Sequence, residues 1–145
     1  MTIVTAYHVA NHRNLRVMTS DLEVLDVYGV ARVERMDIAL VRTSRPRGWV
    51  RVASIAMPGP AGSQIGVVGF KPSIFWSASS GNLIDVTLPA SGAGEFAFVC
   101  DCGSGDSGGG VWNANGQLIG ILTGHYTSID GSRIVFVAEP MSVLR

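Results

Sequence analysis

Several features that would point to particular classes of protein are missing from this sequence of 145 residues. Gly, Pro, Ser or a charge interrupts every apolar run well before it is long enough to cross a bilayer, so we expect no membrane insertion. Eleven basic and eleven acidic residues cancel, which excludes a strong overall attraction to nucleic acid or an anionic surface. The N-terminus has no basic segment followed by a long apolar one, so the sequence predicts no secretory signal.

Cysteine is also scarce, because the chain has only Cys100 and Cys102, with one residue between them. That spacing rarely permits an unstrained disulfide, so the sequence predicts two free thiols in a reducing compartment and a protein that is not secreted. Two cysteines without clustered histidines do not make a typical zinc site. We therefore expect no metal and no cofactor.

Short apolar segments with the period of β-strands make up most of the chain. Hydrophobic residues account for 47% of the sequence and charged residues for 15%, which is typical of a well-buried globular interior. The predicted strands are IVTAYHV, LRVMTS, LEVLDVYGVARVE, DIALVR, WVRVASI, QIGVVGF, NLIDVTLP, EFAFVC, GVWNANGQLIGILTG and RIVFVAE. Asn115-Gly116 predicts a hairpin, SSGN at 79–82 a second turn, and the C-terminal EPMSVLR a helical turn. This pattern predicts an all-β sandwich or barrel.

One segment divides the chain. MPGPAGSQ, at 57–64, has two prolines and two glycines between strand-like segments, which is typical of a linker. We therefore expect an N-terminal lobe at 1–56 and a C-terminal lobe at 65–145.

The segment CGSGDSGGGVW, at 102–112, places five glycines around Asp106 and Ser107. Such a cluster allows close backbone approach and lets backbone N–H groups turn toward a ligand, although a flexible loop would have the same composition. A serine hydroxyl becomes a nucleophile only when an adjacent base accepts its proton, usually an imidazole that a carboxylate orients. His8 in TAYHV and Asp37 in MDIALV are the candidates for those two roles.

TAYHV, DIALV and GDSGGG resemble the three signature blocks of the chymotrypsin-like (trypsin-fold) serine proteases, in that family's chain order. The resemblance implies two antiparallel β-barrels of the six-stranded type. The first would be incomplete at its N-terminus, because only seven residues precede His8 where the family has two strands. It also implies roles: Ser107 as nucleophile, His8 as general base, Asp37 as the carboxylate that orients His8, and the N–H groups of Gly105 and Ser107 as the oxyanion hole. Asp106 is expected to hold the loop by hydrogen bonds.

The resemblance also implies where substrate binds. The walls of the specificity pocket would come from the segment before the serine and from the strand after the next hairpin, namely Asp101, Cys102, Leu122, Thr123, Gly124 and His125. Asp101 lies six residues before Ser107, where trypsin-like enzymes carry the acid that pairs with a basic substrate side chain. A surface acid is the alternative reading of Asp101. Relatives that prefer Glu or Gln often carry a histidine in the second wall, where this chain has Leu122, although His125 lies three residues later and could still reach the pocket.

The short interval from His8 to Asp37, the expected free cysteines and the small size resemble the proteases of positive-strand RNA virus polyproteins. This implies a serine endopeptidase that cuts its own polyprotein in the host-cell cytoplasm. A bacterial heat-shock-type serine protease domain is one alternative, and a scaffold with weak or no activity is another. A different class of function is suggested by Arg42, Arg45, Arg47 and Arg51 around Trp49, which could contact RNA, although a solvated loop has the same pattern.

Overall fold

The protein was analysed as a computed structural model, which describes residues 1–71, 76–85, 94–128 and 130–144. In this part of the chain there are eleven strands, one helical turn and a C-terminal 3₁₀ turn. The all-β prediction is therefore confirmed. Within these ranges no helix has the length and apolar character needed to span a bilayer.

The N-terminal lobe is an open antiparallel sheet of three strands in the order β1-β5-β4, beside a ribbon of two strands. The sheet contains β1 (Thr2–Ala6), β4 (Val27–Arg32) and β5 (Ile38–Thr43), and the ribbon contains β2 (Val17–Met18) and β3 (Val24–Leu25). The central strand β5 is the most buried, because Ile38, Ala39 and Val41 pack on both faces of the sheet. A single helical turn, α1 (Tyr7–Ala10), follows β1 directly, so His8 lies in this turn and not at the end of a strand.

The C-terminal lobe is a closed antiparallel barrel of six strands in the order β10-β11-β8-β7-β6-β9. Its strands are β6 (Gln64–Phe70), β7 (Trp76–Ile84), β8 (Phe96–Cys100), β9 (Gly110–Asn113), β10 (Leu118–Thr127) and β11 (Ile134–Pro140). Val67, Phe98, Ile119, Leu122 and Phe136 point into the barrel and pack together. The interior is therefore a hydrophobic core, as expected for a small barrel.

The two lobes pack against each other through a second apolar cluster. Ala6 and Ile38 of the open sheet contact Leu118 and Ile121 of the barrel and Met141 of the 3₁₀ turn (Met141–Leu144). The contact lies where β1 ends and β5 begins. This contact places the end of β1 and the start of β5 beside the barrel, next to the segment that joins β8 to β9.

Some of the predicted local structure is confirmed and some is wrong. Asn115-Gly116 forms the predicted hairpin turn between β9 and β10, with Gly116 at a φ of 70°. The predicted turn at 79–82 instead lies inside β7, where Gly81 pairs with strands on both sides. The predicted strand WVRVASI forms only an isolated bridge between Ile55 and Leu118, and Trp49 at its start is exposed. The part of NLIDVTLP beyond residue 85 lies outside the described residues.

The prediction of two free thiols is wrong. Cys100 and Cys102 form a disulfide, with their Cα atoms 5.2 Å apart. This separation lies within the usual range for bridged cysteines, because the chain bends at Asp101 and brings the two side chains to the same side. The expectation of a reducing compartment depended on free thiols and loses that support, so the location of the protein stays a prediction.

Candidate active site

The structure brings two of the three candidate catalytic side chains into direct contact. The imidazole Nδ1 of His8 lies 2.5 Å from the carboxylate Oδ2 of Asp37, and the main-chain N–H of His8 donates to Oδ1 of the same carboxylate at 2.9 Å. Asp37 thus accepts two hydrogen bonds from one residue. Because Nδ1 faces a carboxylate, it carries the proton, which leaves Nε2 of the neutral ring as an acceptor.

Local backbone structure explains why these two residues meet. Ala6 pairs with Ile38 across β1 and β5, and the main-chain N–H of Tyr7 donates to the carbonyl oxygen of Asp37 at 2.9 Å. His8 follows in the helical turn that begins where β1 ends. The end of one strand and the head of its neighbour therefore hold the two side chains in contact.

The loop that carries Ser107, called the serine loop here (residues 101–109), contacts the strand that leads to His8. Thr5 donates a side-chain hydrogen bond to the carbonyl oxygen of Gly108 at 3.3 Å. Gly108 has a φ of +85°, and a Cβ added there would overlap the Thr5 hydroxyl. The residue after the candidate nucleophile must therefore be a glycine in this backbone conformation. Its contact with Thr5 places Ser107 at the seam between the lobes, on the side where His8 lies.

Asp106 fixes the conformation of this loop through hydrogen bonds, as the sequence predicted. The side chain is almost fully buried, and it accepts hydrogen bonds from the main-chain N–H of Gly103 at 2.9 Å and from the hydroxyl of Ser77 at 3.3 Å. The main-chain oxygen of Asp106 accepts from Gly109 at 2.9 Å. These bonds fix the main chain on both sides of Ser107.

Two backbone N–H groups in this loop remain available. Among the described residues, neither Gly105 nor Ser107 donates its main-chain N–H to an acceptor. Gly105 has a φ of +97°, and a Cβ there would overlap the carbonyl oxygen of Phe70. The loop therefore requires glycine at 105 in this conformation.

The imidazole of His8 and the hydroxyl of Ser107 are not hydrogen-bonded. Within the part of the chain that the structure describes, neither Nε2 of His8 nor Oγ of Ser107 has a partner. Catalytic hydrogen bonds are often long in the absence of substrate and tighten only in the complex. The structure thus shows the imidazole of His8 in contact with the carboxylate of Asp37 and the loop of Ser107 in contact with Thr5.

The sequence profile of the family described as the trypsin-like peptidase domain matches residues 2–121, which include His8, Asp37 and Ser107. The chain belongs to this family.

Solved structures of a mycobacterial protease share the fold of this trypsin-like peptidase domain. An inactive form of Rv3671c from M. tuberculosis with a serine-to-alanine substitution aligns with a TM-score of 0.76 and 19% identity, over 99% of this chain and 73% of that one. A second inactive form aligns with a TM-score of 0.75 and 20% identity, over 97% and 74%. The active form gives a TM-score of 0.77 and 20% identity, over 97% and 65%. No curated protein sequence is significantly similar to this chain.

The predicted substrate-binding residues of the peptidase domain divide into two groups. Thr123, Gly124 and His125 lie toward the open end of β10, half-buried or exposed, where this strand pairs with β11 on one side. Leu122 is buried in the barrel core, and its part in substrate binding stays a prediction. Its main chain bonds the serine loop, accepting from Gly108 at 2.7 Å and donating to Gly109 at 3.0 Å.

The other two residues lie before the serine loop. Cys102 is half-buried, packs against the barrel core and is bonded to Cys100. The side chain of Asp101 is fully exposed, with a carboxylate oxygen 4.0 Å from the ammonium group of Lys71. The main-chain oxygen of Asp101 accepts from Lys71 at 2.9 Å and from Ser79 at 2.7 Å.

Sequence reasoning missed one acid next to the candidate site. Glu139 of β11 is 3% exposed, and its Oε1 accepts the main-chain N–H of Asp37 at 3.2 Å. Burial raises the pKa of Glu139 above its ordinary value against the lowering effect of the Asp37 N–H hydrogen bond, and the nearby acids Glu95 and Asp37 add to the rise. The alternation of side chains along the strand was an available signal, because it places Glu139 on the same buried face as Val135 and Val137. Across the described ranges, no three His, Cys, Asp or Glu side chains are grouped to hold a metal ion.

Proposed function

We propose that this domain is a serine endopeptidase in which Ser107, His8 and Asp37 form the catalytic triad. The contact between His8 and Asp37 is the main support, because it fixes the imidazole tautomer that a serine protease needs. The hydrogen bond from Thr5 to Gly108 adds to it, since it holds the serine loop beside the segment that carries the base.

The reaction follows from the groups present. Nε2 of His8 accepts the hydroxyl proton as Oγ of Ser107 attacks the substrate carbonyl carbon, and the imidazolium is stabilised by the carboxylate of Asp37. The same proton passes to the leaving amine when the peptide bond breaks, which leaves an acyl-serine. Water then attacks this ester while His8 accepts its proton, and His8 returns the proton to Oγ of Ser107 as the ester bond breaks and the acid product leaves.

The oxyanion formed in each step needs donors that make no other hydrogen bond. The main-chain N–H groups of Gly105 and Ser107 meet this requirement within the described residues. Each donor of this kind is worth about 3 kcal/mol of transition-state stabilisation in typical hydrolases.

A peptide substrate fits the free side of β10. The pairing of β10 with β9 stops at Ile121, whereas its pairing with β11 continues to Thr127. Thr123, Gly124 and His125 therefore offer main-chain groups on one side, to which an extended peptide can add as a strand. The alternating side chains of that peptide would then meet His125 and the serine loop.

A basic substrate side chain has little support from the position of Asp101, since this acid is fully exposed and lies beside Lys71. The ring centroids of His125 and Phe136 lie 6.0 Å apart, and His125 lies at the exposed end of β10. His125 is therefore the better candidate for contact with substrate. Cleavage of its own viral polyprotein stays a prediction from the sequence. The structural relatives are bacterial, which favours the alternative of a bacterial protease domain.

No observation favours RNA binding enough to propose it. Arg47 donates its main-chain N–H to Glu23 at 3.0 Å, and its guanidinium lies 3.9 Å from the same carboxylate. This acid reduces the positive charge that the four arginines would offer to phosphate. The RNA contact therefore stays a prediction.

Labelling with a fluorophosphonate probe tests the proposed function directly, because such probes react with activated serines. We expect labelling of the wild type and its loss in Ser107→Ala. Ser104→Ala is the matched control, since Ser104 is an exposed serine in the same loop and should leave labelling unchanged. Equal labelling of the wild type and Ser107→Ala would disprove the proposed nucleophile.

A further inference from the structure

The position of Glu139 in β11 directs its side chain away from the barrel core. Phe136 and Ala138 belong to the barrel core, whereas Val135 and Val137 pack in a separate cluster on the other face. Because side chains alternate along a strand, Glu139 shares the face of Val135 and Val137. Its carboxyl group therefore leaves the barrel and reaches the N-terminal lobe at the head of β5.

At that point Glu139 contacts the main chain of a triad residue. The N–H of Asp37 donates to Oε1 of Glu139, while the carbonyl of Asp37 accepts from Tyr7 and its carboxylate accepts from His8. The bonds to Tyr7 and His8 stay within the N-terminal lobe. The bond to Glu139 crosses the seam and ties Asp37 to the barrel that carries Ser107.

The second oxygen of Glu139 makes no bond that would compete with the contact to Asp37. Oε2 is buried and has no hydrogen-bond partner among the described residues. Burial and the nearby acids Glu95 and Asp37 raise the pKa of Glu139, whereas the hydrogen bond from the N–H of Asp37 lowers it. The contact through Oε1 is therefore the bond that orients this side chain.

We propose that Glu139 is a positioning residue, which fixes Asp37, and through Asp37 the imidazole of His8, by accepting the main-chain N–H of Asp37 across the seam between the lobes. This inference rests on the proposed triad. The positioning requires an acceptor oxygen for this N–H, and the carboxyl group of Glu139 supplies it.

Two substitutions separate the acceptor from the charge. Glu139→Gln keeps a carbonyl oxygen for the N–H of Asp37 and cannot ionise, whereas Glu139→Leu removes the acceptor and leaves that N–H buried and unpaired. Val135→Ala is the matched control, because Val135 lies on the same strand and face and its loss perturbs packing away from Asp37. Denaturant unfolding of all three variants measures how much stability each loses.

The readouts are the rate of Ser107 labelling by a fluorophosphonate across pH and the downfield proton NMR signal of the His8 Nδ1 proton. We expect Glu139→Gln to label within about twofold of the wild-type rate and to keep the NMR signal unchanged. Glu139→Leu should label roughly tenfold more slowly and should shift or lose the signal. Val135→Ala should lose stability only.

Two results would overturn the inference: equal impairment of Glu139→Gln and Glu139→Leu, or an unchanged NMR signal in Glu139→Leu. The NMR signal does not depend on proteolysis. If the wild type were not labelled at all, the proposed function would fail, and the signal in the two Glu139 variants would still decide whether Glu139 positions the pair.

Discussion

Replacing Gly108 by alanine should weaken the protein at the point where its two lobes meet. The backbone at Gly108 has a φ of +85°, and an added Cβ would overlap the hydroxyl of Thr5 and lie 3.3 Å from the main-chain N of Ala6. Both neighbours belong to the strand that leads to His8. A methyl group there therefore forces apart the serine loop and the base.

The expected cost has two parts, and the chain offers a control for one of them. Alanine in the left-handed region costs about 1–2 kcal/mol from backbone strain alone. Gly116 has a similar φ of +70° with no atom within 4 Å of the added Cβ, so Gly116→Ala should lose only that amount. Gly108→Ala adds an overlap with packed atoms worth about 1–3 kcal/mol, for a total loss of about 2–5 kcal/mol.

Denaturant unfolding of the two alanine variants measures the difference, and labelling of Ser107 shows whether the loop has moved. In a Thr5→Ala background the hydroxyl is absent, so Gly108→Ala should cost less. In a Thr5→Val background a methyl group occupies similar space, so the full cost should remain. The reasoning is refuted if Gly108→Ala loses no more stability than Gly116→Ala, or if both Thr5 backgrounds give the same cost.

Three further predictions concern the acids around the site. Asp37→Asn should slow labelling of Ser107 by about 10⁴-fold, because an amide can donate to Nδ1 of the imidazole and favour the wrong tautomer; a loss below tenfold would contradict the triad. Asp106→Ala leaves two buried donors unpaired and should lower the free energy of unfolding by about 2–5 kcal/mol in a urea titration. The folded-state pKa of Glu139 is raised above its ordinary value of 4.5. The contribution of the protonated carboxyl group to the free energy of unfolding is therefore complete below pH 4.5 and is lost as the pH rises through the folded-state pKa. The wild type should therefore lose stability relative to Glu139→Gln over that interval, by at most about 1.4 kcal/mol per pH unit, and parallel unfolding curves would contradict this.

The elements that short-range chemistry determines were predicted correctly from the sequence. Asn115-Gly116 forms its hairpin because the residue at 116 must adopt a positive φ, and glycine does so without strain. His8 and Asp37 meet because their motifs place them at the ends of paired strands. Asp106 is buried with two donors, as an acid between glycines in an apolar chain requires.

The errors arise where distant parts of the chain decide the local structure. Gly81 looked like a turn residue, but a Cβ there would overlap the carbonyl of Val99, so it permits close approach of two strands. In the sequence Glu139 is a polar residue at the end of a predicted strand, and only the fold shows that it contacts the N-terminal lobe.

The proposed catalytic groups come from both lobes, since His8 and Asp37 lie in the N-terminal lobe and Ser107 lies between β8 and β9 of the barrel. A small rotation of one lobe against the other would change the gap between imidazole and hydroxyl and leave the imidazole bound to its carboxylate. Displacement of one lobe relative to the other would therefore slow turnover without unfolding either lobe and without changing any charge.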